Sequence, residues 1–528
     1  MRISLKAGET YNKTVKDALR EQGIAMDYIC GGKGICGKCA VRVLEGKAEQ
    51  SVADRAFFSE EQLAQGYRLA CQMHVTEDIL LEISQEQLQQ QKNEPKMQVA
   101  GIQTHHEMAD TFGNAQEDEA EQTYSHAQEV ATEQTYGVAI DLGTTTIGFA
   151  LVDLQTQEVC RTQSRLNTQR SYGADVLSRI QSANEGHEEE LQASVTKDLR
   201  EGVVQLCGDL LTQKAIKHIV ISGNTTMCHL LRGYSCKTLG VAPFIPSHLA
   251  LEQWKEDDIE ITIFPGASSF IGGDIVSGIY AVSDEKEPWM LLDFGTNGEM
   301  VLWTGEQLFA TAAAAGPAFE GGNITCGCAS VPGAISSVMI AGRHSHTKTI
   351  GGIPAIGICG SGLLEAISGM RKAGLLDENG TFIENLRSDG FVLQTPGSKK
   401  EIVLTQEDIR QFQMAKAAIA VGQKTLLRAA GRKASDMKHV YLAGGMGSFL
   451  NVRAAVAVGL LQKEFLPVAK AVGNTSLQGA ITYLLKQTKT ETKKLEEIAK
   501  QIQVLSLAET PGFEEDYIMH MALQENMM

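Results

Sequence analysis

Two stretches about 150 residues apart constrain this chain's fold more tightly than any other feature. Tyr136–Asp153, YGVAIDLGTTTIGFALVD, reads as an apolar strand, a turn carrying Asp141, Gly143, Thr144 and Thr145, and a second apolar strand. WMLLDFGTNGEMVLW repeats that plan, with Asp293, Gly295, Thr296 and Asn297 in the turn. An acid at a strand tip can hold a hydrated Mg²⁺, while Gly and Thr let N–H and hydroxyl groups close around phosphate oxygens. One such turn alone can equally be an ordinary hairpin. Two of them suggest two homologous subdomains facing each other across a cleft.

A third segment belongs with these. HVYLAGGMGSFLNV is a strand running into Gly444 and Gly445. The three segments, in this order, resemble the actin and sugar-kinase class of ATPases. That resemblance places the phosphates and Mg²⁺ between Asp141 and Asp293. It places the adenosine against Gly444 and Gly445, where any side chain would clash. KHIVISGNTTMCHLLRG ends a strand in Asn224 and Thr225, which suits either a helix cap or an anion contact. PGASSFIGGDIVSGI sets Gly272, Gly273 and Asp274 before a helix. A long polar helix is expected over about Glu188–Lys214, and another is opened by a Thr405/Asp408 capping box. In the latter, Gln411 and Lys416 could face the cleft, with the surface as the default. Cys326 and Cys328, one residue apart, read as buried small residues rather than ligands.

The N-terminal part carries a different chemistry. Cys30, Cys36 and Cys39 lie on one glycine-rich loop, CGGKGICGKC, and Cys71 follows in RLACQ. Iron prefers thiolate, and three close cysteines plus a distant one can enclose a two-iron cluster. The first gap is one residue longer than the plant-type C-x₄-C-x₂-C spacing, and so resembles vertebrate-type and bacterial [2Fe–2S] ferredoxins of the β-grasp fold. Zinc is the alternative for four thiolates, but zinc sites usually pair two C-x₂-C knuckles. Only about one strand precedes the KAGET turn, where that fold normally opens on a two-strand hairpin.

Between these parts, QEQLQQQKNEPK leads into a polar, acidic tract with no Lys or Arg between Lys96 and Arg161. Its EQTY motifs at 121–124 and 133–136 echo each other. Such composition does not bury enough apolar surface to order itself. His105, His106 and His126 in it read as bystanders. The expected organisation is therefore a [2Fe–2S] ferredoxin-type domain over 1–84, an acidic flexible linker over 85–135, and an actin-like ATPase region of two subdomains over 136–528. The fold class is multidomain α/β and α+β. A formal charge of −17 disfavours nucleic-acid binding. No window has the apolar length of a membrane span, and the N-terminus lacks a signal-peptide core, so the cytoplasm is expected. Eleven cysteines in such a chain point to metal or redox use rather than disulfides.

Taken together, the chain resembles the reductive activators of corrinoid proteins. The matching segments are CGGKGICGKC…RLACQ, AIDLGTTTIGFALVD, YGADVLSRI, ISGNTTMCHLLRG, LLDFGTNGEMVL, GPAFEGGNITCG, GICGSGLLEAI, LTQEDIRQFQMAKAAI and VYLAGGMGSFLN. The resemblance implies ATP-dependent electron transfer from a [2Fe–2S] cluster on Cys30, Cys36, Cys39 and Cys71 to the Co(II) of a corrinoid methyl carrier. It implies an upstream electron donor and a homodimer through the ATPase half. It also implies that Asp141 and Asp293 hold Mg²⁺ and orient water, and that Gly143, Thr144, Thr145, Gly295, Thr296 and Asn297 cradle phosphates. The alternatives are an ATP-driven donor to another low-potential enzyme, a small-molecule kinase, and a nucleotide-binding redox sensor without turnover.

Overall fold

A computed structural model describes residues 1–7, 13–22, 24, 26, 32, 34, 37, 39–83, 135–208, 216–295, 297–383, 386, 389–393 and 401–525. Strands β1 (Arg2–Leu5), β2 (Ala40–Glu45), β3 (Tyr67–Leu69) and β4 (Ile79–Glu82) form an N-terminal sheet in the order β1-β4-β2-β3. All of its pairings are antiparallel. The single opening strand lies at the sheet edge on β4. Thr14 caps the helix Val15–Glu21, which buries Val15, Ala18 and Leu19 in a core shared with Leu69, Ile79 and Leu81. This module has its own small core.

Two six-stranded sheets share a five-strand plan, each with its sixth strand on a different edge. One six-stranded sheet contains β5 (Tyr136–Leu142), β6 (Thr146–Asp153), β7 (Val159–Leu166), β8 (Ile216–Gly223), β9 (Glu252–Glu256) and β10 (Ile259–Ile263). Its order is β7-β6-β5-β8-β10-β9. The first hairpin, β5/β6, continues into β7 on one side, and β8 lies parallel to β5 on the other. The second sheet begins with β11 (Trp289–Phe294), β12 (Gly298–Trp303) and β13 (Leu308–Ala313). A three-stranded sheet of β14 (Ala334–Ala341), β15 (His344–Thr349) and β16 (Gly357–Ile358) and the hairpin β17 (Phe391–Leu393)/β18 (Ile402–Leu404) follow. Then β19 (His439–Ala443), β20 (Ala469–Gly473) and β21 (Ile502–Val504) complete the second large sheet in the order β20-β19-β11-β12-β13-β21. Here β19 lies parallel to β11, as β8 does to β5. The two-lobed actin-like plan follows directly.

Two helices, Gly273–Val282 and Thr475–Lys486, lie between the lobes. They share one core with Ala139 and Val220 of the first sheet and Leu291 and Val301 of the second. Small residues let them approach closely: the Ser277 hydroxyl donates to the Ser476 carbonyl at 2.6 Å, and the Ser222 and Ser476 hydroxyls lie 2.8 Å apart. The lobes therefore meet through a packed seam that includes residues next to the cleft.

Several expectations meet a different outcome. The polar helix after the first hairpin spans Glu188–Cys207 and ends at Gly208, whose φ of 51° no helix continues. The Thr405/Asp408 capping box forms as expected. Lys416 faces neither cleft nor solvent. Its side chain is buried and its Nζ donates to the Ala522 carbonyl at 2.6 Å, with burial pushing its pKa down to about 7. Gln411 instead pairs with Glu407, one turn back at 2.8 Å. Cys326 and Cys328 are half-buried. The linker, with His105, His106 and His126, lies outside the described residues apart from Thr135.

Candidate functional site

The first hairpin carries Asp141 at the end of β5 and Gly143, Thr144 and Thr145 in the turn. Its position is fixed from both lobes. Asn474 Nδ2 donates to one carboxylate oxygen of Asp141 and Ser476 Oγ to the other, each at 2.7 Å. Asn474 is also the cap of the helix Thr475–Lys486, so helix start and acid are fixed by one side chain. From the first lobe, Asn224 caps Thr225–Arg232 and its Nδ2 donates to the Thr144 hydroxyl at 3.0 Å. Capping and hairpin contact therefore fall to the same residue. Gly223-Asn224-Thr225-Thr226 and Gly473-Asn474-Thr475-Ser476 are two copies of one strand-to-helix turn. This repeat was the available signal for Asn474 and Ser476, which the sequence reading missed.

The second hairpin is held differently. Asp293 is the penultimate residue of β11 and lies opposite Glu299 in the β11/β12 register. Thr296 lies outside the described residues, Gly295 is half-buried and Asn297 is exposed. Among the described residues, no side chain donates to Asp293. Gly444 opens the helical turn Gly444–Gly447 with φ +82°, and a Cβ there would sit 2.5 Å from Asp293 Oδ1 and 2.7 Å from the Phe294 carbonyl. Only glycine fits against this hairpin. Gly445 follows it, half-buried in the same turn.

Four carboxylates converge here. Burial raises the Asp141 carboxyl above the usual range, and Ser476 and Asn474 pull it back. Burial and then the Asp141 charge push Asp274 up to about 7. Asp293 is likewise raised to about 7, by burial, by Asp274 and Asp141, and by Glu320. Burial, Asp274 and Asp293 hold Glu299 well above its ordinary value. Acids that raise one another in this way do not all ionise together unless a cation joins them. No three of these carboxylates bring oxygens close enough to share one ion directly, so the set suits a divalent ion that keeps much of its water. Asp274 was noticed only as part of a turn and Glu299 was overlooked, because neither lies in a hairpin turn.

The N-terminal module assembles a thiol pair. Asp54, fully buried, accepts from Ser51 N and from Leu69 N at 2.7 Å, which sets the end of β3. Ala70 N then donates to the Cys39 carbonyl at 3.0 Å, and the two thiols lie 3.3 Å apart. The Cys71 thiol is lowered to about 6, chiefly by its hydrogen bond with Cys39, with smaller help from Gln72, the Gly34 N–H and Lys16. Such a thiol is ready to bind metal as thiolate. Gly37, at φ +67°, leaves room for Phe57, since a Cβ there would lie 1.7 Å from the ring. Cys30 and Cys36 lie outside the described residues. The pair, the backbone N–H beside it and the lowered thiol fit an iron–sulfur cluster.

With this geometry in view, known proteins are informative. Residues 6–76 match the 2Fe-2S iron-sulfur cluster binding domain, 136–286 the RACo middle region, and 287–528 the C-terminal domain of RACo, the ASKHA domain. The corrinoid activation enzyme RamQ of Eubacterium limosum is 32% identical over 396 residues, 69% of this chain and 66% of that one. The [Co(II) methylated amine-specific corrinoid protein] reductase of Methanosarcina barkeri is 27% identical over 285 residues, 49% of this chain and 51% of that one. The matches thus span between half and two thirds of these curated relatives. A solved reductive activator for corrinoid, iron–sulfur protein superimposes with a TM-score of 0.69 at 29% identity, covering 99% of this chain and 97% of that one. Among the described residues, no helix is long and apolar enough to cross a membrane.

Proposed function

This chain belongs to the family of reductive activators of corrinoid proteins, and we propose that it acts as one, returning the Co(II) of a corrinoid methyl carrier to Co(I) at the expense of ATP. One electron passes from an upstream donor to the cobalt, and ATP is hydrolysed to ADP and phosphate. The observation that carries this reading is the union, in one chain, of a close thiol pair, with Cys71 lowered to about 6, and a cleft of mutually acting carboxylates.

The proposed roles follow the geometry. Cys30, Cys36, Cys39 and Cys71 hold the cluster, which when bound supplies a one-electron carrier. Asp141, fixed by Asn474 and Ser476, and Asp293 hold Mg²⁺ and orient the attacking water. Gly143, Thr144, Thr145, Gly295, Thr296 and Asn297 receive the phosphates, and Gly444 and Gly445 the adenosine. Residues 1–84, 85–135 and 136–528 form the electron-carrying module, the tether and the ATPase region. The tether gives the module a high effective concentration at a docked carrier. ATP favours transfer only by binding one arrangement of the protein better than another. The protein works in the cytoplasm, as a homodimer through its ATPase region.

The test is the visible spectrum of a Co(II) corrinoid protein from the same organism, mixed anaerobically with this protein and a chemical reductant. Co(I) is expected only when both this protein and Mg-ATP are present. No Co(I) with a proven native carrier, despite an intact cluster and bound ATP, refutes the proposal.

A further inference from the structure

One buried cation links the phosphate turn to the thiol module. Arg179 is fully buried and forms no ion pair among the described residues. Its Nη2 donates to the Thr144 carbonyl at 2.6 Å, and its Nε to the Gly173 carbonyl at 2.9 Å. Its Nη1 reaches Gln169 Oε1 at 3.4 Å and Met227 Sδ at 3.1 Å. Beside Gly173 stands Tyr172, half-buried, and the Arg20 guanidinium of the N-terminal module lies over its ring at 4.5 Å. Arg20 is held by Asp17 at 3.2 Å and also acts on Glu190. The Arg20 helix, Val15–Glu21, borders the thiol site: Lys16 N donates to the Ala70 carbonyl at 2.9 Å, one residue from Cys71.

We infer that the Tyr172 loop is a docking point for the thiol-bearing module, and that Arg179 couples it to the phosphate turn so that nucleotide binding releases the module. This rests on the proposed role of the Asp141 hairpin. Asp175 and Asp198 act on this buried guanidinium, but no carboxylate touches it among the described residues, so its charge is incompletely compensated. Phosphate at the Thr144 turn supplies the missing negative charge, draws Arg179 toward it and weakens its hold on Gly173. The loop that presents Tyr172 then loses its support. One cation over one ring is a weak contact, so a modest difference in nucleotide affinity between docked and released states shifts the balance.

The test is hydrogen–deuterium exchange on the full-length, cluster-loaded protein, with nucleotide binding followed separately by titration with a fluorescent ATP analogue. In the wild type, Mg-AMP-PNP should raise exchange several-fold in both 13–22 and 168–180. Arg20→Gln and Tyr172→Leu should show the raised exchange without nucleotide, with ATP hydrolysis unchanged. Arg179→Lys should bind nucleotide while both segments stop responding. Wild-type exchange in Arg20→Gln and Tyr172→Leu overturns the docking, whether or not Arg179→Lys folds. Nucleotide that binds without changing either segment overturns the coupling alone, whereas failure to bind nucleotide overturns the ATPase reading as well.

Discussion

The two hairpins share a sequence plan and a topology, yet the protein treats them differently. Asp141 receives two hydrogen bonds from the opposite lobe, and its neighbour Thr144 receives a third from Asn224. Asp293 has no such side-chain donors among the described residues; Gly444 closes against it and neighbouring acids raise it. Burial raises both acids, but only Asp141 has donors that offset it, whereas neighbouring acids push Asp293 further up, to about 7. Duplicated folds need not duplicate function, because packing at the lobe seam makes the two halves unequal.

The comparison breaks most completely if either acid proves dispensable. Asp141→Ala and Asp293→Ala should each lower ATP turnover by about 10²-fold or more, the scale of removing one group that stabilises developing charge. Phosphate release measures this, while an unchanged visible spectrum shows the cluster intact. Normal hydrolysis by Asp141→Ala would disprove the hairpin assignment. A smaller effect sharpens the asymmetry. Ser476→Ala removes one charge-assisted bond to Asp141 and should weaken Mg-ATP binding about 10-fold, from a loss of about 1.5 kcal/mol. Asn297→Ala on the second hairpin should cost less, since Asn297 is exposed and donates to Glu299 rather than to Asp293.

The smallest effect is in pH. Asp293 titrates near 7 in the folded chain and near 3.8 when unfolded. The folded state thus holds more protons between those values, and the nucleotide-free protein should lose stability as pH rises from about 4 to about 7. Mg²⁺ displaces that proton, so its affinity should climb with pH up to about 7 and then level off. Asp293→Asn should flatten the slope of thermal stability against pH. An unchanged slope would show that Asp293 is already ionised.

How much of this was legible in the sequence depended on distance along the chain. The hairpins announce themselves because strand, acid and turn are contiguous, and CGGKGICGKC is legible for the same reason. Asp274, Glu299, Asn474 and Ser476 were not, because only folding brings them to Asp141 and Asp293. Asn474 is 333 positions from Asp141. The repeat of Gly-Asn-Thr at Gly223 and Gly473 was visible, but its meaning needed the seam. Lys416 shows the opposite error: a lysine in an exposed-looking helix is buried because the C-terminal segment supplies the Ala522 carbonyl.

That 333-residue span orders events during synthesis. The N-terminal module is compact by itself and leaves the ribosome early, whereas Asp141 waits for Asn474 and Ser476. At ribosomal speeds of about 5–20 residues per second, the interval is tens of seconds. A nascent chain in that window has the Cys39/Cys71 pair but lacks the two donors that fix Asp141.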